Sequence, residues 1–80
     1  MTKDDIATTI IEMFAEKFSF SPERLTMDSS LINDLGLDSF TMVEIAHEIK
    51  VTYGINLPQS ELANIKTIGD IVKIITAHAN

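Results

Sequence analysis

Three times in eighty residues a helix-capping side chain stands just ahead of apolar residues spaced for one helical face, and no other feature constrains the fold as much. Thr2 is followed three residues later by Asp5, a capping box with Asp in place of Glu, which predicts a first helix running to about Phe18. At roughly 100° per residue, Ile6, Ala7, Ile10, Ile11, Phe14 and Phe18 share a face, with Glu12 and Glu16 opposite. The polar side is acidic, which suits a core helix and not one lying on a membrane. Asp38 heads a second helix, residues 39 to about 52, closed by Tyr53 and by Gly54, which suits the left-handed terminal position. Thr67 and Asp70 open the last helix, with Ile68, Ile71, Val72, Ile74 and Ile75 on its buried side. Gly69 in that first turn costs at most about 1 kcal/mol of helix propensity.

Between these helices lie two connections of different kinds. Residues 19–38 hold the breakers Ser21-Pro22 and Ser29-Ser30, with room for single turns at 21–23 and 30–33. A structureless loop of about twenty residues is uncommon in a small domain unless pinned or functional. Phe20, Leu25, Met27, Leu31, Leu35 and Leu37 supply the pins that lay it across the helices. The second connection is shorter: Pro58 starts a segment of one or two turns over 59–63, with Leu62 inward. Ile55-Asn56-Leu57 is too short for a strand. The expectation is an all-α four-helix bundle, three helices long and the third short.

Length and composition narrow the function. Eighty residues suffice for one domain, 1–80, with one modest core, and with one Tyr and four Phe as the only aromatics that core is aliphatic. There is no cysteine, so neither disulfides nor thiolate metal sites are available, and any thioester chemistry needs a thiol from a cofactor. The opening Met1-Thr2-Lys3-Asp4-Asp5 lacks a signal-like apolar run and nothing is long enough to span a bilayer, so a cytoplasmic location and no membrane association are expected. Net charge is −6, and its distribution is uneven: between Arg24 and Lys50 lie Asp28, Asp34, Asp38, Glu44 and Glu48 with no Lys or Arg. An acidic stretch favours basic partner surfaces and disfavours nucleic acid; a solvated helix face is the plainer explanation of the same charges.

The candidate site is the stretch Leu35-Gly36-Leu37-Asp38-Ser39-Phe40. Gly36 lets the chain turn sharply, and the Asp38 carboxylate can accept the otherwise orphaned amides of the next turn. The Ser39 hydroxyl then sits at the positive end of a helix dipole, where an attached anion such as a phosphate ester is favoured. Asp-Ser is also simply a good helix start, and from these residues alone both readings stand. Ser39 has no base at a recognisable catalytic spacing, so it reads as an acceptor of modification and not as a catalyst. His47 has only Glu44 and Glu48 nearby as further ligands, which makes it a surface or interface histidine, and no metal site is expected. On the second helix Met42, Ile45, Ala46, Ile49 and Tyr53 face the core, while Phe40, Val43, His47 and Val51 form an opposite stripe flanked by Glu44 and Glu48. Such a stripe suits docking into a partner's groove, unless the long loop covers it.

Residues 31–45, with Asp38-Ser39-Phe40 at their centre, resemble the attachment-site motif of acyl and peptidyl carrier proteins, in which an Asp-Ser-Leu core follows a Leu-Gly-Leu-like lead. Tyr53-Gly54-Ile55, Pro58 and Thr67-Ile68-Gly69-Asp70-Ile71 continue the match in order, so that it covers nearly the whole chain from Ile6 to Ile75. The resemblance implies that 4'-phosphopantetheine from coenzyme A is esterified to Ser39, with Asp38 capping the helix and helping the transferase place metal-bound coenzyme A. It implies a stand-alone monomeric carrier, not an enzyme, that holds acyl groups as thioesters. The partners are a phosphopantetheinyl transferase and acyl-loading, acyl-transferring or condensing enzymes, which read Phe40, Val43, Glu44, His47, Glu48 and Val51. A short acyl chain would shelter among Ile45, Ala46, Ile55, Leu62 and Ile65, which serve equally as ordinary core. Phe40 departs from the usual Leu, Thr41 stands where fatty-acid carriers are often acidic, and Lys50 interrupts the acidic run. These departures and the mild charge point to polyketide, nonribosomal peptide or related secondary biosynthesis, with a fatty-acid carrier or an unmodified helical adaptor as alternatives.

Overall fold

Helix starts follow the capping chemistry in the computed structural model, which describes residues 2–79. Helix α1 spans Lys3–Phe18; Thr2 Oγ1 accepts the Asp5 amide at 3.2 Å, and the Thr2 amide donates back to the Asp5 carboxylate at 3.5 Å. Its end is less predictable, because Ser19 takes φ 61°, the left-handed conformation usually left to glycine. A 3-10 turn follows at Pro22–Arg24, then α2 at Ser39–Tyr53. Gly54 ends α2 with φ 71° and donates its amide to the Lys50 carbonyl at 2.8 Å. Helix α3 is a single turn, Gln59–Leu62, and α4 runs Ile68–Ala79. Thr67 and Asp70 cap α4 reciprocally, each amide bonded to the other's side chain at 3.1 Å. Among the described residues the only β feature is an isolated bridge between Ser30 and Thr67.

The core is aliphatic, as composition requires. Ile6, Ile10 and Phe14 of α1 meet Ile45 and Ile49 of α2 and Ile68, Ile71, Val72 and Ile75 of α4, all essentially removed from solvent. Each side chain of this size stabilises the fold by about 1.5–3 kcal/mol when fully buried. Helix α1 packs on α4 and on the 3-10 turn, and Phe14 meets Phe18 edge to face at 5.7 Å. Ile74 sits beside this core only partly buried.

The long connection is pinned twice over. All six apolar side chains expected to hold it turn inward: Leu25, Leu31 and Leu37 are buried, and Phe20, Met27 and Leu35 pack partly buried against the core. Backbone bonds add a second attachment. The Leu31 amide donates to the Lys66 carbonyl at 2.9 Å, the Ile68 amide to Ser29 at 3.2 Å and the Gly69 amide to Met27 at 2.8 Å. The last two satisfy amides that the first turn of α4 would otherwise leave without partners. At Gly69 the approach is so close that a Cβ would lie 2.9 Å from the Met27 carbonyl oxygen. Glycine here admits the loop backbone, so it serves packing despite its low helix propensity. The turn expected at 30–33 extends over 31–35; Ser30 Oγ accepts the Asn33 amide at 3.1 Å, and the Ser30 amide donates to the Asp34 carboxylate at 2.7 Å.

Candidate functional site

The pinned loop delivers Ser39 to the surface. The Leu37 amide is held by the Leu31 carbonyl at 2.9 Å, with Leu37 buried beneath it, and Gly36 turns the chain at φ 69°. Asp38 is extended and its Oδ1 accepts both the Thr41 amide and the Thr41 hydroxyl, each at 2.9 Å. The Thr41 amide, and after it the hydroxyl, hold the Asp38 carboxyl below the usual carboxylate range. Asp38 is therefore anionic at neutral pH, with its hydrogen bonds directed into the helix it caps. Ser39 opens α2 and is exposed, at the electropositive end of a helix of fifteen residues.

Two apolar surfaces adjoin the serine. On one side a cleft of about 310 Å³ runs from Ser39 between Met42 and Val43 of α2 and Leu62, Ala63 and Ile65, with Ile32 of the loop at its edge. Of the residues expected around an acyl chain, Leu62 and Ile65 line this cleft, whereas Ile45 and Ile55 lie buried within the core. Ala46 faces a neighbouring groove that it shares with Val43, His47, Lys50 and Leu57. On the other side lies the outer stripe of α2, uncovered by the loop: Phe40 is 73% exposed, Val43 55% and Val51 69%, with His47 and Glu44 exposed among them. Glu48 is half-buried, paired with Lys17 Nζ of α1 at 3.0 Å.

These features coincide with a known pattern. A family model described as a phosphopantetheine attachment site matches residues 8–75. The chain belongs to that family of carriers. The acyl carrier protein of Rickettsia massiliae is 43% identical over 74 residues, which cover 92% of this carrier and 86% of that protein. The meromycolate extension acyl carrier protein of Mycobacterium leprae is 36% identical over 75 residues, covering 94% of this carrier and 65% of that protein. Among solved structures, an acyl carrier protein from Enterococcus faecalis superposes with TM-score 0.82 over 96% of this carrier and 98% of that chain; at 21% identity the similarity is one of fold. The all-α bundle is thus of acyl-carrier type. Members of the family are carriers and not enzymes, bear a covalently attached 4'-phosphopantetheine group, and work with a phosphopantetheinyl transferase and acyl-handling enzymes. The local structure fits such a group: an exposed hydroxyl at a helix N-terminus suits a phosphate ester, and the adjoining cleft is apolar.

Sequence reasoning missed two residues near the site. Ile32, 67% exposed at the rim of the cleft, lies in a loop segment where no periodicity marks inside from outside. Lys17 reaches α2 across 31 residues of sequence, and a wheel drawn on α1 alone carries no sign of it.

Proposed function

We propose that Ser39 is the residue that carries the phosphopantetheine group in this acyl carrier. The observation that supports this most directly is its exposure at the start of α2, on a backbone fixed by Gly36, Leu37 and the Asp38 cap. The group supplies the thiol that the chain lacks, and an acyl chain is held there as a thioester. The protein contributes binding and orientation. Asp38 shapes the helix end that the transferase meets and presents a carboxylate beside the hydroxyl to be modified. Phe40, Val43, Glu44, His47, Glu48 and Val51 form the face that partner enzymes read. Met42, Val43, Leu62, Ala63 and Ile65 offer an apolar resting place for the first carbons of a bound chain. Ile45 and Ile55 would join it only if the core parted.

For the cargo, the relatives support an acyl chain under extension in fatty-acid-type metabolism: one is named for meromycolate extension and the others simply as acyl carrier proteins. Phe40, Thr41 and Lys50, together with the mild charge, favour the second reading, a dedicated secondary pathway.

Incubation with coenzyme A and a broad-specificity phosphopantetheinyl transferase, followed by intact-mass measurement, tests the attachment. Wild type is expected to gain one phosphopantetheine and Ser39→Ala none. A wild-type chain that gains nothing, or a Ser39→Ala chain that still gains the mass, would refute the assignment.

A further inference from the structure

Each long helix opens on a threonine and an aspartate three residues apart, but α2 reverses their order. In α1 and α4 the threonine caps and the aspartate accepts backbone amides, whereas in α2 Asp38 caps and Thr41 follows it. The Thr41 amide, donating to Asp38 Oδ1 at 2.9 Å, already makes that cap. The Thr41 hydroxyl donates to the same oxygen, also at 2.9 Å, and satisfies no orphaned backbone group by doing so. Elsewhere in the helices the threonine hydroxyl turns to the backbone: Thr9 and Thr76 donate to the carbonyl four residues back, at 3.0 and 2.7 Å. The second bond on Asp38 is therefore particular to the helix start that bears Ser39. Thr41 is half-buried, while Asp38 and Ser39 are exposed and together line the mouth of the apolar cleft. Two donors arriving from different directions restrict the carboxylate more than the amide alone, and they commit Oδ1 to the helix.

Resting on the carrier reading above, we propose that Thr41 is a positioning residue for the modification of Ser39 and acts through Asp38. In that step the Ser39 oxygen forms a bond to the phosphorus that bears the pantetheine. The bond from that phosphorus to the bridging pyrophosphate oxygen breaks, the adenosine bisphosphate leaves with the electron pair, and the hydroxyl proton passes to a base of the transferase. Phosphoryl transfer depends on positioning and on where charge is placed, so a carboxylate beside the acceptor hydroxyl has to stand in one place. An Asp38 held by the amide alone would swing and present its charge at no fixed point relative to Ser39 and the incoming pyrophosphate. The Thr41 hydroxyl removes that freedom before the transferase arrives. Because it works through Asp38 and not by gripping the enzyme, its loss falls on the rate of the bound carrier and leaves binding alone.

Transferase kinetics with the full chain test the idea, with kcat and KM for the carrier read by intact mass at a fixed, saturating level of coenzyme A. Thr41→Val keeps the branched shape and the amide bond and removes only the hydroxyl. It is expected to lower kcat about three- to tenfold, the effect of one hydrogen bond, with KM within about twofold of wild type. Thr41→Ser restores the hydroxyl and is expected to stay within about twofold in both constants. Thr41→Ala, a better helix former, is expected to show the same fall as Thr41→Val, which a merely loosened helix start would not produce. An unchanged kcat in Thr41→Val, a loss carried by KM, a fall that serine does not recover, or a fall in Thr41→Val that Thr41→Ala does not share overturns the proposal. A wild-type chain that gains no phosphopantetheine removes the carrier reading and this proposal with it, whereas equal rates in wild type and Thr41→Val remove this proposal alone.

Discussion

Helices α2 and α4 are built from similar material and used in opposite ways. Both are capped by an aspartate accepting backbone amides, and both carry aliphatic side chains through their length. In α4 the row Ile68, Ile71, Val72 and Ile75 vanishes entirely into the core. In α2 only Ile45 and Ile49 do so, while Phe40, Val43 and Val51 stand in water. The contrast shows which helix holds the fold together and which is displayed. An exposed row of large apolar residues adds little to the fold while it stands in water, and the partner face proposed for α2 rests on this row.

The sharpest way to break this contrast is truncation on either side of it. Ile71→Ala is expected to destabilise the fold by about 2–5 kcal/mol, a large part of what a domain this size possesses. Val51→Ala should stay within about 0.5 kcal/mol. Urea unfolding followed by circular dichroism compares them, and similar losses in both would mean that α2 supports the core as fully as α4. A second, smaller effect concerns the loop seam. Gly69→Ala gains about 1 kcal/mol of helix propensity but forces a methyl group against the Met27 carbonyl, with an overpacking cost of about 1–3 kcal/mol. A net loss in the same assay is expected, and a gain would show that the loop yields readily there.

How much of this was legible beforehand follows from the range of each interaction. Thr2 with Asp5, Asp38, Gly54 and Thr67 with Asp70 act within four residues, so sequence spacing reveals them and the helix ends fall into place. The six loop pins were visible as apolar residues among breakers. Their attachment was not, because the bonds from Leu31, Ile68 and Gly69 join backbone atoms and leave no side-chain signature. Gly69 was the one clue, a glycine where a helix would prefer almost anything else. The cleft shows the other limit. A wheel separates Ile45 from Phe40, yet it cannot tell a residue at the centre of the core from one at its rim, such as Met42 or Leu62.

The smallest effect expected lies in acid. The amide of Lys66, and after it the amide and hydroxyl of Thr67, hold the Asp70 carboxyl low despite some desolvation. A carboxyl lowered in the native state binds fewer protons there than in the unfolded chain. Its stabilisation is complete above the ordinary aspartate value of about 3.9 and fades as pH falls through the lowered native value. Asp70→Asn is therefore expected to lose about 0.5 kcal/mol near neutrality and to show a shallower decline below about pH 4, read from urea midpoints over a pH series. An unchanged acid slope would mean that the Asp70 carboxylate adds no pH-dependent stability to the α4 cap.

The bonds running from Lys66 to Leu31, and from Leu31 to Leu37, have a final consequence. The position of the Ser39 hydroxyl is referenced to a helix that starts almost thirty residues later, so what is remote along the gene is adjacent in the mechanics. Damage at the root of that helix is therefore expected to reach Ser39, even where every residue around the serine is intact.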